Sequence, residues 1–210
     1  MSWLRGFLVF LLFVGRLPGD PEPYRLDNGL TVVLENVPGA QDVAVLVLYR
    51  FGGAHDPPGA SGRAHLLEHL YCTAAAGETP ARDFAAIQTR YPKGYNQQTG
   101  FDYTVLAGVV PAAQLEAELR DAAARMRDLR IAQSDLDREV PRVLTELENM
   151  YGGLPHLAGT NLVRQALHPI ARDGRHGGHP EQVKALALAD LTRTWSNYSR
   201  CNNALLVVVG

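Results

Sequence analysis

Cysteine is scarce in this chain: Cys72 and Cys201 are the only two in 210 residues. Two thiols do not make a disulfide framework, although a single bridge stays open in an oxidising compartment. Charge of one sign is also lacking, with 20 Lys and Arg against 22 Asp and Glu and a net charge of −2. That balance removes the electrostatic case for nucleic acid or for an anionic membrane surface as partner. There are no repeats, no low-complexity tracts and no internal linker. At 46% hydrophobic and 20% charged, the composition is that of one folded domain with a sizeable core.

A membrane-spanning apolar run is missing too. FLVFLLFV (7–14) is wholly apolar but too short to cross a bilayer as a helix. It follows a free amine and Arg5 and precedes RLPGDPEP, the layout of a secretory signal peptide. No A-x-A cleavage site follows it. Residues 1–22 are therefore read as a signal peptide or N-terminal anchor and residues 23–210 as the domain. The expected location is outside the cytoplasm: periplasmic, secreted or membrane-anchored.

Strand and helix signals alternate along the rest. YRLDNGLTVVLENV (24–37) carries strand residues around an Asp27-Asn28-Gly29 turn. DVAVLVLYRF (42–51) is a continuous apolar run that predicts a strand buried on both faces. GGAHDPPGASG (52–62) predicts a loop, and a helix is expected from about Arg63 toward Ala76. Thr79-Pro80 predicts a helix start, running to about Arg90. YNQQTGFDYTVLAGVV (95–110) predicts one or two strands. Pro111 is expected to open a long helix with Leu115, Leu119 and Met126 on one side. Ser134 with Asp137 resembles a capping box before a helix to about Met150, its buried stripe being Leu136, Val140, Val143, Leu144 and Leu147. A helix over 156–167, a loop over 168–180, a short helix from Ala189 to Tyr198 and a strand over 204–209 complete the pattern. The mixture predicts an α/β (α+β) fold, a two-layer sandwich in which helices pack on a mixed, largely antiparallel sheet.

Within GRAHLLEHLYC (62–72), His65, Glu68 and His69 interrupt the apolar residues Leu66, Leu67 and Leu70. Burying such groups without partners costs several kcal/mol or shifts their pKa. Positions 65 and 69 share a helix face, so both imidazoles can chelate one ion. A zinc ion held by two histidines needs a third protein ligand and keeps one position for water. Glu68 is placed to take a proton from that water. The order H-x-x-E-H is the reverse of H-E-x-x-H. Glu139, Glu146 and Glu148, on the helix after Ser134, are the third-ligand candidates. Glu139 and Glu146 lie two turns apart and flank the apolar stripe, as solvated glutamates also do. Cys72 reads as a packed thiol. His55, His156, His168, His176 and His179 read as surface groups.

These residues together resemble the N-terminal domain of the M16 zinc metallopeptidase family. The family sets its third-ligand glutamate about 76 residues beyond H-x-x-E-H, and here 76 residues separate His69 from Glu146. EVPRVLTEL (139–147) is similar to the family's context, with a second glutamate seven residues before the ligand. FGGAHDPPGASGRAHLLEH (51–69) resembles its glycine-rich approach. NQQTGFDYT (96–104) resembles an edge strand that pairs with the substrate backbone, and the tail with LLVVVG resembles the domain's last strand. The resemblance covers roughly residues 24–210. It implies Zn²⁺ held by His65, His69 and Glu146, with Glu68 as catalytic base and Glu139 as the supporting catalytic carboxylate. Asn96 and Gln97 fall at substrate-binding positions, Gln97 in place of the usual alanine. YCTAAAG stands where the family commonly has Gly-Thr. The implied activity is a zinc metalloendopeptidase acting on peptides or unfolded polypeptides. The rival reading is a non-catalytic subunit that holds peptides. The implied partner is a second M16-type domain or subunit supplying the rest of the chamber.

Overall fold

Aliphatic strands and four helices of eleven residues or more dominate the computed structural model, which describes residues 21–151 and 177–210. The apolar segment at 7–14, the helix expected over 156–167, most of the following loop, and His156, His168 and His176 lie outside the described residues. Six strands form one sheet: β1 (Tyr24–Arg25), β2 (Thr31–Glu35), β3 (Asp42–Tyr49), β5 (Tyr95–Thr99), β6 (Thr104–Pro111) and β8 (Ala204–Val209). Their order is β1-β2-β8-β3-β6-β5, with β2 and β8 parallel and the other pairs antiparallel. The remaining elements are β4 (Ala75–Ala76), paired with β7 (Leu129–Arg130), and the helices α1 (Arg63–Thr73), α2 (Phe84–Arg90), α3 (Leu115–Asp128), α4 (Gln133–Tyr151), α5 (Pro180–Lys184) and α6 (Leu188–Tyr198). The expected mixed, largely antiparallel sheet with packed helices is what forms.

β3 buries Val43, Val45, Val47 and Tyr49 on one face, and the core there is completed by Leu66, Leu67 and Leu70 of α1, Val143 and Leu147 of α4, and Leu191 and Trp195 of α6. Each fully buried leucine contributes roughly 1.5–3 kcal/mol. The expected burial of β3 on both faces is not seen among the described residues: Ala44 is exposed and Leu46 and Leu48 are half-buried.

Other expectations shift for identifiable reasons. α1 stops at Thr73 because Ala74 turns extended and starts the short β4. Thr79-Pro80 opens no helix, since Thr79 closes a turn back on Ala76 and Arg82 is drawn to α1 and α3. Its backbone N–H donates to Thr73 O (2.8 Å), and its guanidinium to Cys72 O and Asp121 (both 2.9 Å). α2 instead begins after Asp83, whose carboxylate accepts from Ala86 N at 2.9 Å. Pro111 ends β6 and a turn intervenes before α3. On α3, Leu115, Leu119 and Met126 are half-buried, while Glu118, Asp121 and Arg125 are the buried positions. The Ser134–Asp137 capping box gives way to Asp135, which accepts from Ala132 N at 2.9 Å.

Candidate metal centre

All eleven residues of α1 are buried. Its N-terminus lies under the glycine-rich loop, where the Asp56 carboxylate accepts from the backbone N–H groups of Gly62, Arg63 and Ala64 at 2.8, 3.1 and 3.0 Å. These are donors that a helix start leaves unpaired. Burial nevertheless pushes the Asp56 carboxyl up to about 7. At the other end Arg125 donates to Tyr71 O and Ala74 O, at 2.5 and 3.0 Å. A helix buried at both ends is thus satisfied from outside itself. Gly62 (φ +87°) and Gly178 (φ +98°) cross here; a Cβ on Gly178 would sit 2.4 Å from Gly62 Cα. That close approach brings Gly177 O against His65.

The spacing of His65 and His69 puts their rings side by side, centroids 5.1 Å apart. Each Nδ1 meets an acceptor: Gly177 O at 3.2 Å from His65, Glu139 Oε2 at 3.4 Å from His69. A carbonyl and a carboxylate only accept, so each Nδ1 carries the proton it donates. The two Nε2 atoms both face Glu146 Oε2, at 3.3 and 3.4 Å. With both rings neutral, three lone-pair atoms would confront one another across a short gap, and something positive must lie between them. Protons can supply the charge. Although burial opposes it, Glu139 and Glu146 push His69 up to about 9, and the two imidazoles hold Glu146 well below the usual carboxylate range. A divalent cation satisfies the same atoms without protonation.

Glu68 is 5% exposed, its Oε2 has no hydrogen-bond partner within the protein, and a carboxylate oxygen of it lies within 4.8 Å of a ring nitrogen of each histidine. Burial raises its pKa against the opposing pull of His65, a hydrogen bond with Thr99, and His69. An unpaired buried carboxylate oxygen beside two imidazoles fits a bound cation and its water. Glu139 is 1% exposed, so it continues the buried stripe of α4 instead of flanking it as expected. Arg138 Nε (2.8 Å) and Arg142 Nη1 (3.4 Å) support it, and His69 and these guanidiniums outweigh burial and lower its pKa.

Beside these groups opens a cavity of about 470 Å³ lined by His69, Glu139, Glu146, Gln97, Phe84 and Arg142 among others. β5 is the sheet's edge strand next to it. Gln97 lines the cavity, its Oε1 accepting from Tyr95 OH and Cys72 Sγ, whereas Asn96 is exposed. Cys72 is a buried thiol in contact with Tyr95 OH, and burial pushes it up to about 12. Cys201 is half-buried and also unbridged. Glu148 is exposed, and His55 is exposed with its Nδ1 accepting from Gly52 N at 3.2 Å. His179 stands at the N-cap of α5. Asp56, Thr99, Arg138, Arg142 and the Gly177 carbonyl were not singled out from sequence. The arginines beside Glu139 were the readable signal; a backbone carbonyl has none.

The model of the insulinase family (peptidase family M16) matches residues 31–177. This is a chain of the M16 peptidase family. Over 200 residues it is 30% identical to the zinc protease PqqE of Helicobacter pylori, covering 90% of this chain and 43% of that protein. The crystal structure of a protease from Helicobacter pylori superposes with a TM-score of 0.76 at 28% identity, over 90% of this chain and 46% of that one. The first half of the periplasmic protease PqqL from Escherichia coli matches the fold with a TM-score of 0.80 at 19% identity, over 93% of this chain and 44% of that one. The chain therefore spans less than half the length of these relatives.

Proposed function

We propose that this chain is the zinc-bearing part of a metalloendopeptidase that hydrolyses peptides or unfolded polypeptides. The observation that carries the reading is the meeting of two buried imidazole Nε2 atoms on one Glu146 oxygen, beside the unpaired Oε2 of Glu68. His65, His69 and Glu146 would hold Zn²⁺. When bound, the ion supplies Lewis acidity, polarising a substrate carbonyl and easing loss of a proton from water. Glu68 takes that proton on its carboxylate and returns it to the leaving amine, a role suited by a pKa that burial raises. Glu139 acts as positioning residue, fixing the His69 tautomer from Nδ1. The outer edge of β5 offers backbone N–H and C=O groups to an extended peptide, with Asn96 and Gln97 alongside.

The remaining groups that hold substrate are assigned to a second M16-type domain or subunit, because this chain matches only 43% of the Helicobacter pylori relative. That same observation favours the second reading, a half-site that binds peptide and cuts only when joined. The charged-then-apolar start of the chain supports export.

The test measures zinc content and cleavage of an unstructured peptide for the purified chain and Glu68→Gln. One zinc in both, with cleavage lost only in the variant by about 10²-fold or more, is the expected result. Zinc in both with no cleavage in either selects the half-site. No zinc in either overturns the reading.

A further inference from the structure

Arg142 is the only arginine or lysine among the described residues that line the cavity beside Glu146. The spacing Glu139, Arg142, Glu146 on α4 puts all three on one helix face, and all three line that cavity. The positive charge of Arg142 is in surplus there. Glu139 already accepts from Arg138 Nε at 2.8 Å and meets His69 Nδ1 at 3.4 Å. Arg142 Nη1 stands off its two oxygens at 3.5 and 3.4 Å, and the Arg142 side chain is 42% exposed. One carboxylate does not balance two guanidiniums, and the planar fork of Arg142 suits a second carboxylate. Gln97 on the same wall is limited in a matching way. Its Oε1 accepts from Tyr95 OH at 3.0 Å and from Cys72 Sγ at 2.7 Å, which leaves the amide only N–H groups to offer. The apolar part of the wall is Phe84 with Ile87, three residues apart on α2. Phe84 is 44% exposed, one of few large apolar side chains left so open.

We infer that Arg142 selects substrates with an acidic side chain, glutamate or aspartate, next to the bond to be cut. The inference rests on the peptidase reading proposed above and adds the class of substrate its site would take. A guest carboxylate accepts from Arg142 and from the Gln97 amide, while its methylene stem packs on Phe84. A basic guest has no equal attraction. Glu139 is held by Arg138, Arg142 and His69, and Glu146 faces both imidazoles. A purely apolar guest would leave the Arg142 guanidinium and the Gln97 N–H groups without the acceptor that an acidic one brings.

The test uses the zinc-loaded chain carrying Glu68→Gln, so that peptide is bound and not cut. The probes are fluorescein-labelled peptides of alanine, glycine and serine with one variable residue: glutamate, glutamine, leucine or lysine. Fluorescence anisotropy gives the affinity of each, and zinc content is measured on every sample. The glutamate peptide is expected to bind about 10-fold more tightly than its glutamine isostere, and the lysine peptide more weakly than either. Arg142→Gln should erase the difference between glutamate and glutamine. Gln97→Glu, which leaves Glu139 and its arginines untouched, should turn the preference to lysine. If Arg142→Gln sheds zinc through Glu139, Gln97→Glu decides. Peptides bound without regard to charge, or leucine or lysine bound above glutamate, overturn the acidic specificity and leave the peptidase reading standing. A glutamate preference that survives both substitutions overturns its assignment to Arg142 and this cavity. A zinc-loaded chain that binds none of the peptides overturns both readings.

Discussion

His69 is held at both nitrogens by carboxylates, Glu139 at Nδ1 and Glu146 at Nε2. Glu139 differs from Glu146 in having two arginines to neutralise it and almost no exposure, 1% against 48% for the side chains. It is suited to orient a ring and is poorly placed to reach solvent. Glu139→Gln should therefore weaken zinc binding about 10–100-fold with the ligand set intact. Chelator competition measures this, and Glu148→Gln, an exposed neighbour on the same helix, should leave the affinity unchanged. His65, Glu68 and His69 were legible in sequence because their relation is local, three and four residues apart on one helix. Glu139 was legible as a carboxylate of interest but not as a buried one. Its burial depends on His69, Arg138 and Arg142 closing over it together, a tertiary fact with no periodic trace.

At the scale of elements, positions are set by where backbones can touch. Gly62 and Gly178 meet only because neither has a side chain, and the meeting places Gly177 O on His65. Gly178→Ala puts a methyl 2.4 Å from Gly62 Cα at a left-handed φ of +98°. It should cost about 1–3 kcal/mol in urea unfolding and loosen the His65 side of the proposed metal site. Sequence placed α1, α4 and β8 from apolar spacing and turn residues, and gave 95–110 as strand without deciding between one strand and the two, β5 and β6, that form. It misplaced the start of α2 because Thr79-Pro80 is a good local start signal, while the competing pull of Arg82 on Cys72 O and Asp121 is non-local. The alternation of β3 was hidden for a different reason: both of its faces are aliphatic, and only the fold shows which one the helices take.

For the whole molecule, α3 is tied to α1 through Arg125, fully buried, bonded to Asp121 Oδ2 at 3.0 Å and to two carbonyls at the end of α1. Arg125→Met leaves Asp121 with Arg82 alone and should destabilise the chain by about 3 kcal/mol. The same pair sets an acid limit. Although burial raises it, the pull of Arg125 and Arg82 holds the Asp121 carboxyl below its ordinary range. The native state therefore binds its proton later than the unfolded chain does. The resulting stability is present above the unfolded value near 4 and is lost as pH falls through the lower folded value. Thermal melts should be level with respect to this group from pH 7 to about 5 and decline below about 4; Asp121→Asn should flatten that decline.

The three proposed metal donors do not share water equally. The side chains of His65 and His69 are 5% and 8% exposed, whereas that of Glu146 is 48% exposed. An ion seated among them would meet solvent on the side of that carboxylate, where the cavity lined by Gln97, Phe84 and Glu146 opens. Metal exchange then becomes a question of rate as well as of affinity: a chelator small enough to enter that cavity would strip the protein faster than one too large for it.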